Sequence, residues 1–201
     1  MHTILFDLGN VLIEWDPRRL YRKLFDGDEA SMEHFLATVC TPEWNLQMDA
    51  GKPFAEAVAE LQALHPDRAE LIAAWHLRWS ETLGGAIEGS VEILAALRAR
   101  GYRLYALTNW SAETFPVARE RFEFLTWFEG IVVSGEVRMT KPDPDIFALA
   151  LARFELTPSS TLFIDDSSAN VATARRLGMH AVQFKDSSQL QAALNGFGLL
   201  D

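Results

Sequence analysis

Only one cysteine, Cys40, occurs among the 201 residues. A lone thiol closes no internal disulfide, and without a second cysteine or a neighbouring histidine it builds no thiolate metal site. A buried, inert thiol is the expected role. Basic residues are scarce too: 18 Lys plus Arg against 28 Asp plus Glu leave a formal charge of −10. That is the wrong sign for a protein held by the phosphate backbone of nucleic acid. No stretch approaches the roughly 18 consecutive apolar residues of a membrane span, and the N-terminus has neither the basic start nor the unbroken apolar core of a signal peptide. These absences predict a cytoplasmic protein, monomer or homodimer, with no nucleic-acid or membrane partner. The histidines, at positions 2, 34, 65, 76 and 180, include no i, i+4 pair of the zinc-binding kind. Internal repeats and low-complexity segments are missing as well.

What is present is patterned apolar sequence, 49% of the chain, enough for a sizeable core. Residues 88–101 read as a helix: Ser90 is placed to cap it, Val91, Leu94 and Leu97 share a face, and Gly101 stops it. The same grammar predicts a helix over 143–154, with Asp143 as cap and Pro144 at the first helical position, and another ending at Gly178. Short apolar runs at 102–108, 130–134, 161–165 and 180–184 alternate with these helices. Strands alternating with amphipathic helices imply a doubly wound α/β fold around a parallel sheet. Residues 16–85 differ, with helical patterns at 53–64 and 66–82, three tryptophans (Trp44, Trp75, Trp79) and no convincing strand. The expected organisation is a core of residues 1–15 and 86–201 with an all-helical insertion, a cap, over 16–85.

In open α/β sheets ligands bind beyond the carboxyl ends of the strands. There the sequence places Asp7 after the first strand, Thr108-Asn109 after 102–108, Lys141 in the loop after 130–134, and Asp165-Asp166 after 161–165. Each alone reads as a turn, cap or surface residue. Together, three carboxylates at one edge would repel one another and raise their own pKa values unless a cation neutralised them. A hard cation with oxygen ligands, Mg²⁺ above all, suits carboxylates plus a phosphate oxygen.

The segments FDLGNVL, LTN, KPDPDIF and FIDDSSAN resemble, in order and spacing, the four motifs of the haloacid dehalogenase superfamily. The insertion is placed like that superfamily's C1-type cap. The resemblance implies an Asp7 nucleophile that forms a covalent intermediate, with Thr108, Asn109 and Lys141 holding phosphoryl oxygens and Trp110 lining the site. It further implies Mg²⁺ bound by Asp7, the Gly9 carbonyl and Asp166, with Asp165 acting through water and with Asn10 and Asn170 in support. Most phosphatases of the superfamily carry an acid two residues after the nucleophile, where this chain has Gly9. Losing a general acid typically costs ~10² to 10⁴ in rate, so leaving groups that need little protonation are expected. A small sugar phosphate such as a sugar 1-phosphate meets that condition, and the DLGNV form is similar to α-glucose-1-phosphatase-like members. A halide meets it too, but 2-haloacid dehalogenases resemble one another in a Ser-Ser-Asn pattern where this chain keeps Asp165-Asp166. A Mg²⁺-dependent phosphatase is therefore expected ahead of a metal-independent dehalogenase, and both ahead of a binding module with a spent site. Glycine also suits the tight turn after the first strand.

Overall fold

The computed structural model describes residues 2–200. The elements run β1 (Thr3–Phe6), β2 (Ile13–Trp15), α1 (Arg18–Leu24), α2 (Glu29–Thr38), α3 (Pro42–Asp49), α4 (Phe54–Leu64), α5 (Ala69–Leu77) and β3 (Leu83–Ala86). They continue with α6 (Glu88–Ala99), β4 (Arg103–Thr108), α7 (Phe115–Arg121), β5 (Gly130–Val133), α8 (Ser134–Val137) and α9 (Pro144–Arg153). Last come β6 (Thr161–Asp165), α10 (Ser168–Arg176), β7 (His180–Gln183) and α11 (Ser187–Gly196).

Five strands form a parallel sheet in the order β5-β4-β1-β6-β7. The first apolar run sits at its centre, with Leu5 in register with Tyr105 on one side and Phe163 on the other. Ile4, Leu5 and Phe6 are fully buried, as a strand covered on both faces requires. One face packs Leu5, Tyr105, Phe147 and Phe163 under α9 and α10. The other merges with the aromatic core of the insertion. From β1 the chain winds outward through β4 and β5, then returns to the opposite side of β1 as β6. The strand order thus reverses between β1 and β6, the crevice where such sheets bind ligands.

The doubly wound reading holds, with local corrections. Ser90 does not cap α6: its N–H already donates to the Ile87 carbonyl at 2.8 Å, and its hydroxyl lies 3.1 Å from that of Ser187. The predicted helix over 66–82 divides into a 3₁₀ turn at Pro66–Arg68, α5, and a second 3₁₀ turn at Trp79–Thr82. The stretch 16–85 also contains most of a strand: β3 pairs antiparallel with β2, Trp15 opposite Leu83 and Ile13 opposite Ala86. This two-stranded ribbon brackets the helices of the insertion, so both chain crossings between insertion and sheet lie side by side. Within the insertion Trp75 is buried against Trp44, ring centroids 5.5 Å apart, and Tyr21 donates to the Leu71 carbonyl at 2.9 Å. Cys40 lies buried beside the Tyr21 hydroxyl, and burial pushes its thiol up to about 12, an unreactive state.

Candidate active site

The sequence-predicted residues meet at the carboxyl edge of the sheet. Asp7 directly follows β1, its N–H donating to the Ile164 carbonyl at 2.8 Å, and one of its carboxylate oxygens accepts from the Leu8 N–H at 2.7 Å. Lys141 reaches in from the loop before α9. Its Nζ lies 2.9 Å from Asp7 Oδ1 and 2.6 Å from Asp165 Oδ2, with the side chain almost wholly buried. Two carboxylates outweigh the cost of burying the ammonium and hold its pKa above the usual lysine value. The loop is pinned from β4: Asn109 Nδ2 donates to the Lys141 carbonyl and the Lys141 N–H donates to Asn109 Oδ1, both at 2.9 Å.

Asp165 is fully buried and fully engaged. Besides Lys141, it accepts from the Ser167 N–H at 2.8 Å and from Asn170 Nδ2 at 2.9 and 3.1 Å. Those contacts make it the internal anchor that orients Lys141. Asp166, by contrast, is exposed at the mouth of the site. One oxygen from each of Asp7, Asp165 and Asp166 falls within 4.8 Å of the others. Burial raises Asp7 to about 7, with Lys141 opposing and Asp165 adding to the shift; burial and then Asp165 raise Asp166 also. One ammonium against three carboxylates leaves a net negative cluster of hard oxygen donors, a set that fits Mg²⁺. Thr108 Oγ1, at the end of β4, is buried with no hydrogen-bond partner. A buried hydroxyl left unpaired is costly, and this one lies at the same edge of the sheet.

The turn after β1 differs from expectation. The left-handed residue is Asn10, at φ 55°, not Gly9, and Asn10 Oδ1 accepts from the Trp15 N–H at 3.0 Å. Asparagine tolerates that backbone region. A Cβ placed on Gly9 would meet nothing within 4 Å, so the turn does not require glycine there. Trp110 is buried, its N–H donating to Ser134 Oγ at 2.8 Å, while its indole Nε1 has no partner. Arg18 and Arg19, at the entrance to the insertion, are taken up in ion pairs with Glu33 and Glu14.

Asp7, Gly9, Asn109, Trp110 and Asp166 line a cavity enclosing about 620 Å³, part of it open to solvent. Its other wall was not anticipated: Trp15 from β2, Asn45 and Asp49 from α3, Phe54 from α4, and Trp79. Trp79 therefore does more than pack the insertion, and its ring stands 5.7 Å from that of Trp110. Asp49 carried a legible signal. It is an acid in the last turn of a helix that has no basic residue there, against the helix dipole.

Fold, strand-edge cluster and motifs together define a hydrolase of the haloacid dehalogenase class. The chain belongs to the haloacid dehalogenase-like hydrolases, whose family pattern matches residues 1–178. A sesquiterpene phosphatase of Aspergillus oryzae is 27% identical over 194 residues, covering 91% of this chain and 89% of that one. A drimenol cyclase of Aspergillus calidoustus is 36% identical over 97 residues, 48% of this chain but 18% of that one, so the chain spans about a fifth of that relative. A haloacid dehalogenase family enzyme of Bacteroides thetaiotaomicron, solved with magnesium and inorganic phosphate, is 25% identical with a TM-score of 0.69. The match covers 94% of this chain and 98% of that one.

Proposed function

We propose that the protein is a Mg²⁺-dependent phosphatase that hydrolyses a small phosphorylated metabolite, a sugar phosphate such as a sugar 1-phosphate, through an aspartyl-phosphate on Asp7. The observation that carries the reading is the buried, unpartnered Thr108 hydroxyl at the same edge as the Lys141 ammonium and the Asp7 carboxylate. A donor and a cation beside a nucleophile suit the oxygens of a phosphoryl group undergoing displacement. The phosphatase relative and the neighbour holding magnesium and phosphate support it.

In this reading Asp7 attacks phosphorus and the ester oxygen departs on the opposite side, into the cavity under the insertion. Lys141 and Thr108 hold the phosphoryl oxygens, and Asn109 and Asp165 hold Lys141. Trp110 lines the cavity with its free indole N–H, while Asn10 and Asn170 keep the Trp15 turn and Asp165 in place. Asp7, Asp166 and the Gly9 carbonyl would bind Mg²⁺, which would offset the charge that opposes an anionic substrate. The helical insertion, residues 16–85, acts as a cap over the core. Aromatic walls with a few polar groups between them, here Trp15, Trp79 and Phe54 with Asn45, suit the apolar faces and hydroxyls of a sugar. The retained Asp165-Asp166 pair disfavours the metal-free dehalogenase. The test is phosphate release from α-glucose 1-phosphate with and without Mg²⁺: release that needs the metal and Asp7 supports the reading, and none from any phosphate ester overturns it.

A further inference from the structure

The second residue after Asp7 is Gly9, so the usual donor of a proton to the leaving oxygen is absent from the core, yet the far wall of the cavity carries an unused carboxyl group. We propose that Asp49, on the cap, is the general acid and base of this site. The inference rests on the phosphatase reading above and deepens it.

Three observations place Asp49 for that task. It lines the same cavity as Asp7 and Asp166, on the wall supplied by the insertion. Its position is fixed on both sides: Ser134 Oγ donates to the Asp49 carbonyl at 2.6 Å, and Asn45 Nδ2 donates to Asp49 Oδ2 at 3.0 Å. The backbone then turns at Gly51, φ 93°, where a Cβ would lie 2.9 Å from the Gly135 carbonyl oxygen and from Arg138 Cγ. Residues 49–51 are therefore pressed onto the core, and Ser134 also accepts from the Trp110 N–H in the loop that follows Thr108. The third observation is electrostatic. Asp49 closes α3, where the helix dipole disfavours a negative charge. Burial raises its carboxyl to about 7, with the Ser111 N–H pulling the other way, a value suited to giving and taking a proton near neutrality.

The chemistry balances with one residue. In the first step Asp7 Oδ bonds to phosphorus, the ester P–O bond breaks, and the departing oxygen takes the Asp49 proton. In the second step a water enters from the side the alcohol left, its oxygen bonds to phosphorus, the Asp7–phosphorus bond breaks, and its proton passes to the Asp49 carboxylate. Both proton transfers occur at the face of phosphorus opposite Asp7. With Asp49 in that role, the restriction to acidic leaving groups set by Gly9 is lifted.

The experiment compares kcat/KM of the Mg²⁺-loaded enzyme for an alkyl phosphate and for p-nitrophenyl phosphate in wild type, Asp49→Asn and Asp49→Glu. Since kcat/KM covers the steps through departure of the leaving group, the proposal predicts a loss of ~10²-fold or more for the alkyl ester in Asp49→Asn. The loss for p-nitrophenyl phosphate is expected to stay below about tenfold, because p-nitrophenolate leaves unprotonated. A burst of p-nitrophenol should appear in Asp49→Asn as the phosphorylated enzyme accumulates. Asp49→Glu, which keeps the acid, should retain the wild-type preference. Equal losses for both esters in Asp49→Asn, or no loss, would overturn the role of Asp49 while leaving the phosphatase reading intact. A wild type that turns over neither ester, nor α-glucose 1-phosphate or any other phosphate ester, overturns both.

Discussion

Asn109 and Lys141 are joined by two hydrogen bonds of 2.9 Å, both between the Asn109 side-chain amide and the Lys141 backbone, across the gap between β4 and the loop before α9. The pair fixes the ammonium that touches both Asp7 and Asp165. Asn109→Ala should lower kcat by roughly 10- to 100-fold through displacement of Lys141, the scale expected when a reacting group moves by about 1 Å. Steady-state kinetics check this, and kcat unchanged from wild type would remove the positioning role.

Asp165 and Lys141 form a buried ion pair in which neither partner has access to water. Removing Asp165 leaves the buried ammonium with Asp7 as its remaining carboxylate partner, so Asp165→Ala should cost stability, up to about 3–5 kcal/mol. Removing both charges in Lys141→Met with Asp165→Asn should recover part of that loss. Chemical denaturation of wild type and the two variants measures it; a double variant less stable than Asp165→Ala would contradict the account.

The two aspartates raised to about 7, Asp7 and Asp49, give the metal-free protein a defined response to pH. Their folded-state values lie above the ordinary 3.8, so between about pH 4 and 7 the folded form binds more protons than the unfolded chain. Stability conferred by the neutral carboxyls is complete below that window and is lost as pH rises through it. Melting in EDTA should therefore show the midpoint falling from pH 5 to pH 7.5, and Asp7→Asn should flatten the decline. Adding Mg²⁺ at pH 7.5 should raise it again, since the ion binds only the folded carboxylates. A midpoint that climbs with pH in EDTA would contradict this.

Gly9 leaves open space where a side chain would begin. If Asp49 supplies the proton that Gly9 cannot, then Gly9→Asp should restore at least part of the alkyl phosphate turnover lost in Asp49→Asn and do little in the wild-type background. Measuring kcat/KM for an alkyl phosphate in the single and double variants decides this; an equal gain in both backgrounds would mean that Asp49 never held the role.

Much of this was legible in the sequence because the site hangs on strand ends. Asp7, Thr108 and Asp165 each terminate an apolar run whose length and flanks declare a buried parallel strand, and the strand-end rule then gathers them without coordinates. Lys141 was legible through its place in the loop after the 130–134 strand. What stayed hidden depends on contacts between distant segments. The ribbon of β2 and β3 pairs three residues with Leu-Gly-Gly-Ala, too short and too glycine-rich to alternate. Asn10 takes the left-handed turn that glycine was expected to take, because its side chain has the Trp15 N–H to hold. Trp79 belongs to a helical pattern that reads as packing, and the signal at Asp49, an acid closing a helix, does not say which way it faces; only the docking of α3 onto Ser134 turns that wall toward Asp7.

The most direct test of the central claim is phosphate release from α-glucose 1-phosphate by wild type and Asp7→Asn, each with Mg²⁺ and with EDTA, with chloride release from 2-chloropropionate measured alongside. The account predicts phosphate release by wild type in Mg²⁺ alone, abolished in Asp7→Asn, and no chloride in any arm. Chloride release in EDTA without phosphate release would contradict it and assign Asp7 to dehalogenation.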